Sequence, residues 1–131
     1  NNLLKKFQDT LGITYLFISH DLTMVKYLAS KIGVMYLGHL VEIAPTHKLY
    51  EHPLHPYTQS LLSAILPHFP PNAEKKRVET QVTPLPKPLT SKKGCLFCNR
   101  CPKAMQICKE KVPQLKTFSQ DHRVACHLYT L

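Results

Sequence analysis

One stretch of this chain, ITYLFIS at residues 13–19, reads as a strand buried on both faces, because its apolar and β-prone residues run on without polar alternation. Such a strand belongs inside a parallel sheet, where each parallel neighbour needs a crossover connection of a dozen or more residues. No other stretch has this character. The chain is therefore expected to form the edge of an α/β layer, with its missing strands upstream.

The flanking segments fit that expectation. Leu3, Leu4, Phe7 and Leu11 recur at helical spacing, and Gly12 ends the pattern as the residue just past a helix. After the strand, Leu22, Val25, Leu28 and Ala29 form one face of a second helix. KIGVMYLGHLVEIAP reads as two short strands around a type II′ turn at Gly38-His39, closed by Pro45. A short helix capped by Thr46 and a longer one with Pro56 in its first turn follow, the latter burying Leu61, Leu62, Ile65 and Leu66. Prolines then gather from Pro67 to Lys93, which is linker composition. Three parts are expected: an α/β portion (1–66), a proline-rich linker (67–93) and a cysteine-rich module (94–131).

No apolar run approaches the roughly 18 residues that cross a bilayer, and NNLLKKFQDTLG has no signal-peptide core. The absence of an initiator Met suggests a piece of a longer chain. Charge is uneven: residues 1–73 carry a net +1 and residues 74–131 a net +8. A basic half beside a neutral one suggests contact with anions, whether nucleic acid, lipid headgroups or a bound anionic cluster.

All five cysteines lie in the last 37 residues, at Cys95-x2-Cys98-x2-Cys101-x6-Cys108-x17-Cys126. Clustering of this kind in a chain with no secretion signal favours metal over disulfides. Cys98 and Cys101 with Cys126 and either His127 or His122 could supply a tetrahedral zinc site. The C-x2-C-x2-C run also occurs in ferredoxin-type [4Fe–4S] binding. Spacing alone leaves open which cysteine is spare. His39, His52, His55 and His68 are scattered, most beside prolines, and read as turn and surface residues. Ser19, His20 and Asp21 sit at the carboxyl end of the strand, where α/β folds bind ligands. Being adjacent, they cannot converge as a catalytic triad.

From TYLFISHDLTMVKYLASKIGVMYLGHLVEIAPTHKLYEHPLHPYT onward, the sequence resembles the C-terminal half of the ATP-binding subunits of oligopeptide/dipeptide ABC importers. The resemblance implies the C-terminal part of an ABC-type α/β nucleotide-binding domain with a small cysteine-rich tail. It makes His20 the switch histidine that meets the ATP γ-phosphate, with Ser19 and Asp21 supporting the loop and Asp21 capping the next helix. ATP hydrolysis of this kind rests on positioned donors and Mg²⁺. No phosphate loop, signature sequence or acidic Mg²⁺-binding strand occurs here, so the isolated chain is expected to be inactive, with ATP and Mg²⁺ bound only by the intact protein.

The tail matches the same family through Gly94, Cys95, Phe97, Arg100, Cys101, Pro102, Cys108, His122, Val124, Ala125 and Cys126. Some members hold a [4Fe–4S] cluster there. Carried over, its ligands are Cys95, Cys101, Cys108 and Cys126, and Cys98 is the spare thiol at a position where the family often has His. Arg100, Lys103 and Arg123 would offset the cluster's charge. Implied partners are a second ATPase subunit, membrane-spanning permease subunits and, indirectly, an extracytoplasmic peptide-binding protein. The implied location is peripheral, on the cytoplasmic face of the cell membrane. A different reading is a small zinc-stabilised basic module that binds nucleic acid, although the tail lacks zinc-finger helix spacing.

Overall fold

The computed structural model describes residues 2–65 and 93–129. The proline-rich stretch expected as a linker falls almost wholly outside these residues, as do Leu66 and His68, and the side chain of Ile65 is not described. Helix α1 (Asn2–Leu11) ends as expected, with Gly12 at φ +64 donating its N–H to Gln8 O. Residues 12–19 form neither helix nor strand, which corrects the expected central strand. Leu16 and Ile18 stand 92% and 96% exposed. A strand exists only by hydrogen bonding to a neighbour, and among the described residues nothing pairs with this run.

The sheet that does form is antiparallel, with four strands in the order β1-β2-β4-β3. Its first hairpin joins β1 (Lys31–Tyr36) to β2 (His39–Pro45). Tyr36 faces His39, so the turn residues are Leu37 and Gly38, at φ 47 and 80. Two consecutive positive φ values make this a type I′ turn, one residue earlier than the expected type II′ turn, and I′ better matches the twist of the flanking strands. The second hairpin, β3 (Lys116–Ser119) to β4 (His122–Val124), turns at Gln120-Asp121 with Asp121 at φ 63. Asp tolerates this conformation better than most residues because its short polar side chain bonds locally.

An irregularity in β2 decides what faces inward. Val34 pairs with Glu42 but Met35 pairs with Leu40, leaving Val41 as an extra, bulged residue. Strict alternation would bury only one of Val41 and Glu42; with the bulge both are buried. The carbonyl of Val41, freed from β1, accepts the N–H of Ala125 just past β4. The bulge therefore joins the first hairpin to the second.

Around the sheet lie α2 (Leu22–Leu28), α3 (Thr46–Glu51), α4 (Pro56–Ile65) and α5 (Gln106–Glu110). Leu22, Val25 and Leu28 of α2, with Ala29 just past its end, face the core. Thr46 does not cap α3 as expected. It is the first helical residue, and its hydroxyl donates to the carbonyl of Ala29, anchoring α3 beside the end of α2. Tyr50 adds a second tie, its hydroxyl donating to Leu22 O at 2.6 Å.

The core is shared by both described segments. Ile32, Val34 and Tyr36 from β1, Leu49 and Tyr50 from α3 and Leu62 from α4 share one core cluster with Phe97 of the cysteine-rich segment. Phe97 meets Tyr36 edge-on at 5.2 Å and Tyr57 at 5.5 Å between ring centroids. With β4 in the sheet and Phe97 in the core, the cysteine-rich segment packs as part of the same body as residues 22–65.

Candidate metal centre

Four local devices gather the cysteines. Gly94, at φ +113, presses against α5: a Cβ there would lie 2.6 Å from the Cys108 carbonyl and 2.7 Å from that of Lys109. Only glycine allows this approach, and it lets Cys95 N–H donate to Cys108 O at 2.7 Å. A 3₁₀ turn over Cys98–Arg100 folds Cys98 and Cys101 back beside Cys95, with Cys98 N–H donating to Cys95 O. Helix α5 presents Cys108 at its third position. Strand β4 delivers Cys126, which a second 3₁₀ turn, His127–Tyr129, follows directly.

The result is one small cavity lined by all five thiols, with His55, Phe97, Lys103 and His127 among its other walls. The free space is about 10 Å³, about enough for one water. All five cysteines are free thiols. Among the described residues, no three Cys, His, Asp or Glu side chains converge on a point that would hold one metal ion.

Backbone N–H groups reach at least four of the sulfurs. The N–H groups of Phe97, Lys103 and Leu128 act on Cys95, Cys101 and Cys126, each from two residues ahead. Met105 N–H lies 3.5 Å from Cys108 Sγ. These are the four cysteines assigned as ligands by the family pattern. Removal from water nevertheless dominates: burial pushes Cys95 and Cys101 above the usual thiol range and Cys126 up to about 11, and the neighbouring thiols add to the rise. Unliganded, these thiols stay protonated at neutral pH. A cation or cluster among them reverses that balance.

The two histidines named as possible ligands part company. His122 does not line the cavity; its Nε2–H donates to Glu42 Oε1 at 2.8 Å, with both groups almost wholly buried. His127 does line it, but its Nε2–H donates to Lys111 O at 2.9 Å. Arg100 and Arg123 are exposed, and of the three cations expected to offset a cluster only Lys103 borders the thiols.

His20 is exposed and does not line the thiol cavity. Its neighbours build a rigid helix start. Asp21 is the N-cap of α2, its Oδ1 accepting from Thr23 N at 2.9 Å and Met24 N at 3.1 Å. Ser19 Oγ accepts the Asp21 N–H at 3.0 Å.

Sequence reasoning passed over two buried polar residues beside the cavity. Glu42 is fully buried, and its carboxylate accepts Leu54 N–H at 2.8 Å, His55 N–H at 2.9 Å and the His122 ring. His55 is 1% exposed, so its reading as a turn or surface residue is corrected. Its Nδ1 accepts the Tyr57 N–H at 3.0 Å, capping α4 at the position just before Pro56. Burial drives its pKa down to about 4, against an opposing pull from Glu42. The signal for His55 was present in the sequence, since the residue before a helix-starting proline is the N-cap. Glu42 gave none, because its inward turn depends on the bulge.

Comparison with known proteins places these features. Residues 41–108, about half of the chain, match the family model described as "Oligopeptide/dipeptide transporter, C-terminal region". The chain is 45% identical over 129 residues to the oligopeptide transport ATP-binding protein AppF of Bacillus subtilis, covering 98% of this chain and 39% of AppF. It is 50% identical over 129 residues to YkfD of the same organism, named as a candidate oligopeptide transport ATP-binding protein, with the same coverage. A candidate peptide import ATP-binding protein of Brucella abortus is 45% identical over 128 residues, 98% of this chain and 37% of that protein. The chain thus spans under two-fifths of the length of these relatives. It belongs to the oligopeptide/dipeptide transporter C-terminal family of ABC ATP-binding proteins.

Proposed function

We propose that the chain is the C-terminal part of the ATP-binding subunit of an oligopeptide importer, and that its cysteine cavity holds a [4Fe–4S] cluster. The observation that carries the first statement is the family match over residues 41–108, joined by relatives named for oligopeptide or peptide transport ATP binding. The exposed residues support it. Leu16 and Ile18, and Leu3 and Leu11 on α1, form apolar surface of the kind that the rest of an α/β domain covers. No helix among the described residues is long and apolar enough to cross a membrane. As the ATP-binding subunit of an importer, the protein acts peripherally, on the cytoplasmic face. Its partners are a second ATPase subunit and the permease subunits, and an extracytoplasmic binding protein delivers the peptide. The transporter match sets the nucleic-acid reading aside.

In the intact subunit, His20 stands at the start of α2, where Asp21 and Ser19 fix the backbone around it. A neutral imidazole there offers one N–H to a phosphate oxygen, which suits the γ-phosphate contact of a switch histidine. In a reconstituted transporter, His20→Ala is expected to lower peptide-coupled ATP hydrolysis on the order of 10²-fold, as loss of a single transition-state donor does, with subunit assembly intact. Unchanged hydrolysis would remove His20 from the mechanism.

For the cavity, the reading rests on five thiols lining one space and on the family pattern of four of them. A [4Fe–4S] cluster takes one thiolate at each of four irons. Cys95, Cys101, Cys108 and Cys126, each with a backbone N–H at its sulfur, supply them, and Cys98 is the extra thiol. Since the present free space is only about 10 Å³, loading requires the thiols to move outward. When bound, the cluster supplies a covalent cross-link among the 3₁₀ turn, α5 and the segment after β4, and its role is structural.

A further inference from the structure

We infer that Cys95 and Cys108 form a modification site: with no metal group bound, a peroxide oxidises this pair to a disulfide that closes the thiol cavity. The inference concerns the unliganded thiols and does not rest on the cluster reading above. It begins at Gly94, whose close approach to α5 sets Cys95 N–H on Cys108 O at 2.7 Å. With ordinary backbone bond lengths, that contact keeps the two Cα atoms within about 6.6 Å of each other. Disulfides span roughly 4.4–6.8 Å between Cα atoms, so the backbone already meets the requirement.

Both side chains line the same cavity, whose free space of about 10 Å³ holds about one water. Thiols around so small a space stand close to one another. Among its thiol neighbours, Cys95 feels Cys108 most strongly and Cys98 least. A space this small suits a sulfur–sulfur bond.

Cys95 also has a second side. Among the described residues, it is the one cysteine that lines the neighbouring apolar groove of about 110 Å³, beside Leu96, Val112 and Leu115. Cys108 is buried, whereas Cys95 is half-buried. A small uncharged oxidant therefore meets Cys95 first, with Cys108 behind it as the resolving thiol.

Hydrogen peroxide is such an oxidant. The Cys95 thiolate attacks one peroxide oxygen and the O–O bond breaks. Hydroxide leaves, takes up a proton as water, and Cys95 becomes a sulfenic acid. Cys108 Sγ then attacks Cys95 Sγ, the S–OH bond breaks, and a second water departs with the proton of the Cys108 thiol. The two thiols lose two electrons, and the peroxide gains them. The bridge takes two of the four thiols that the family pattern makes ligands, so the oxidised and metal-bound forms exclude each other.

The test uses the whole subunit, stripped of metal by a chelator under reducing conditions and then separated from the reductant. Hydrogen peroxide is added at mildly alkaline pH, because the thiolate is the reacting form, and remaining thiols are alkylated. Trypsin cuts after Lys93, Arg100, Lys103 and Lys109, placing Cys95 and Cys98 in 94–100, Cys101 in 101–103 and Cys108 in 104–109. The main cross-link, read by non-reducing mass spectrometry, is expected to join 94–100 to 104–109. It should survive in Cys98→Ser and vanish in Cys95→Ser and Cys108→Ser. The wild type and Cys98→Ser carry the result should the other variants fail to fold. Loss of the cross-link in Cys98→Ser overturns the inference. A bridge within 94–100, a main cross-link to 101–103 or to the Cys126 peptide, or full alkylation of the tail cysteines after peroxide does the same. No readout here uses iron, so absence of iron and sulfide from the untreated subunit overturns the cluster reading alone.

Discussion

Glu42 Oε1 lies 2.8 Å from His122 Nε2, across 80 residues of sequence, with both side chains almost wholly buried. The same carboxylate receives the N–H groups of Leu54 and His55. One side chain therefore ties β2, the α3–α4 connection and β4 together. A buried carboxylate is tolerable only when donors satisfy it, and removing it strands three donors at once. Glu42→Ala is expected to cost about 3–5 kcal/mol in urea unfolding of the whole subunit. His122→Ala should show strong non-additivity with it in a double-mutant cycle. Additive effects would mean that the pair does not couple the segments.

His55 gives this region a pH dependence of known sign. Its folded pKa, about 4, lies below the ordinary 6.5 because burial penalises the charged ring. Between these values the unfolded chain binds a proton that the folded chain refuses, so stability rises with pH. The contribution is complete above about pH 6.5 and is lost as pH falls toward 4, on the order of 3 kcal/mol in all. Unfolding midpoints measured from pH 7 down to pH 4 should fall for the wild type, and His55→Asn should flatten that fall. A midpoint that rises on acidification contradicts the burial of a neutral His55.

Phe97 tests whether the cysteine segment depends on the rest of the core. It is 4% exposed and touches rings from β1 and α4. Phe97→Ala is expected to destabilise by about 3–5 kcal/mol and, by loosening the turn between Cys95 and Cys98, to increase the labelling rate of both cysteines. A cost under about 1 kcal/mol would place Phe97 outside the core.

Thr58 offers the opposite sign. Its hydroxyl is buried and has no hydrogen-bond partner among the described residues. Thr58→Val removes an unpaired polar group while keeping the shape, and is expected to be neutral or to stabilise by about 1 kcal/mol. A loss of more than about 1 kcal/mol in thermal unfolding would show that the hydroxyl has a partner.

What the sequence made legible follows its local signals. The helix ended by Gly12 and the hairpin over 31–45 were readable because periodicity and turn residues act over a few positions, whereas the cap at Asp21 came from the family resemblance. ITYLFIS was read correctly as apolar and wrongly as a formed strand, since pairing depends on a neighbour that composition cannot reveal. The second hairpin was missed: its strands have four and three residues, and cysteine spacing dominated the reading of that segment. The spacing marked the thiol cavity, but not its walls. Glu42 and His55 reach the cavity's surroundings only through the bulge at Val41 and the proline-started helix, two displacements of a single residue each.

The most direct measurement is iron and acid-labile sulfide content of the whole subunit purified without oxygen, beside single Cys→Ser variants. About four irons and four sulfides per chain are expected for a cysteine-held [4Fe–4S] cluster. Cys98→Ser should retain that content, and substitution at Cys95, Cys101, Cys108 or Cys126 should lose most of it. One zinc per chain, no metal at all, or loss of the cluster on substituting Cys98 while a backbone-bonded cysteine proves dispensable would contradict the account.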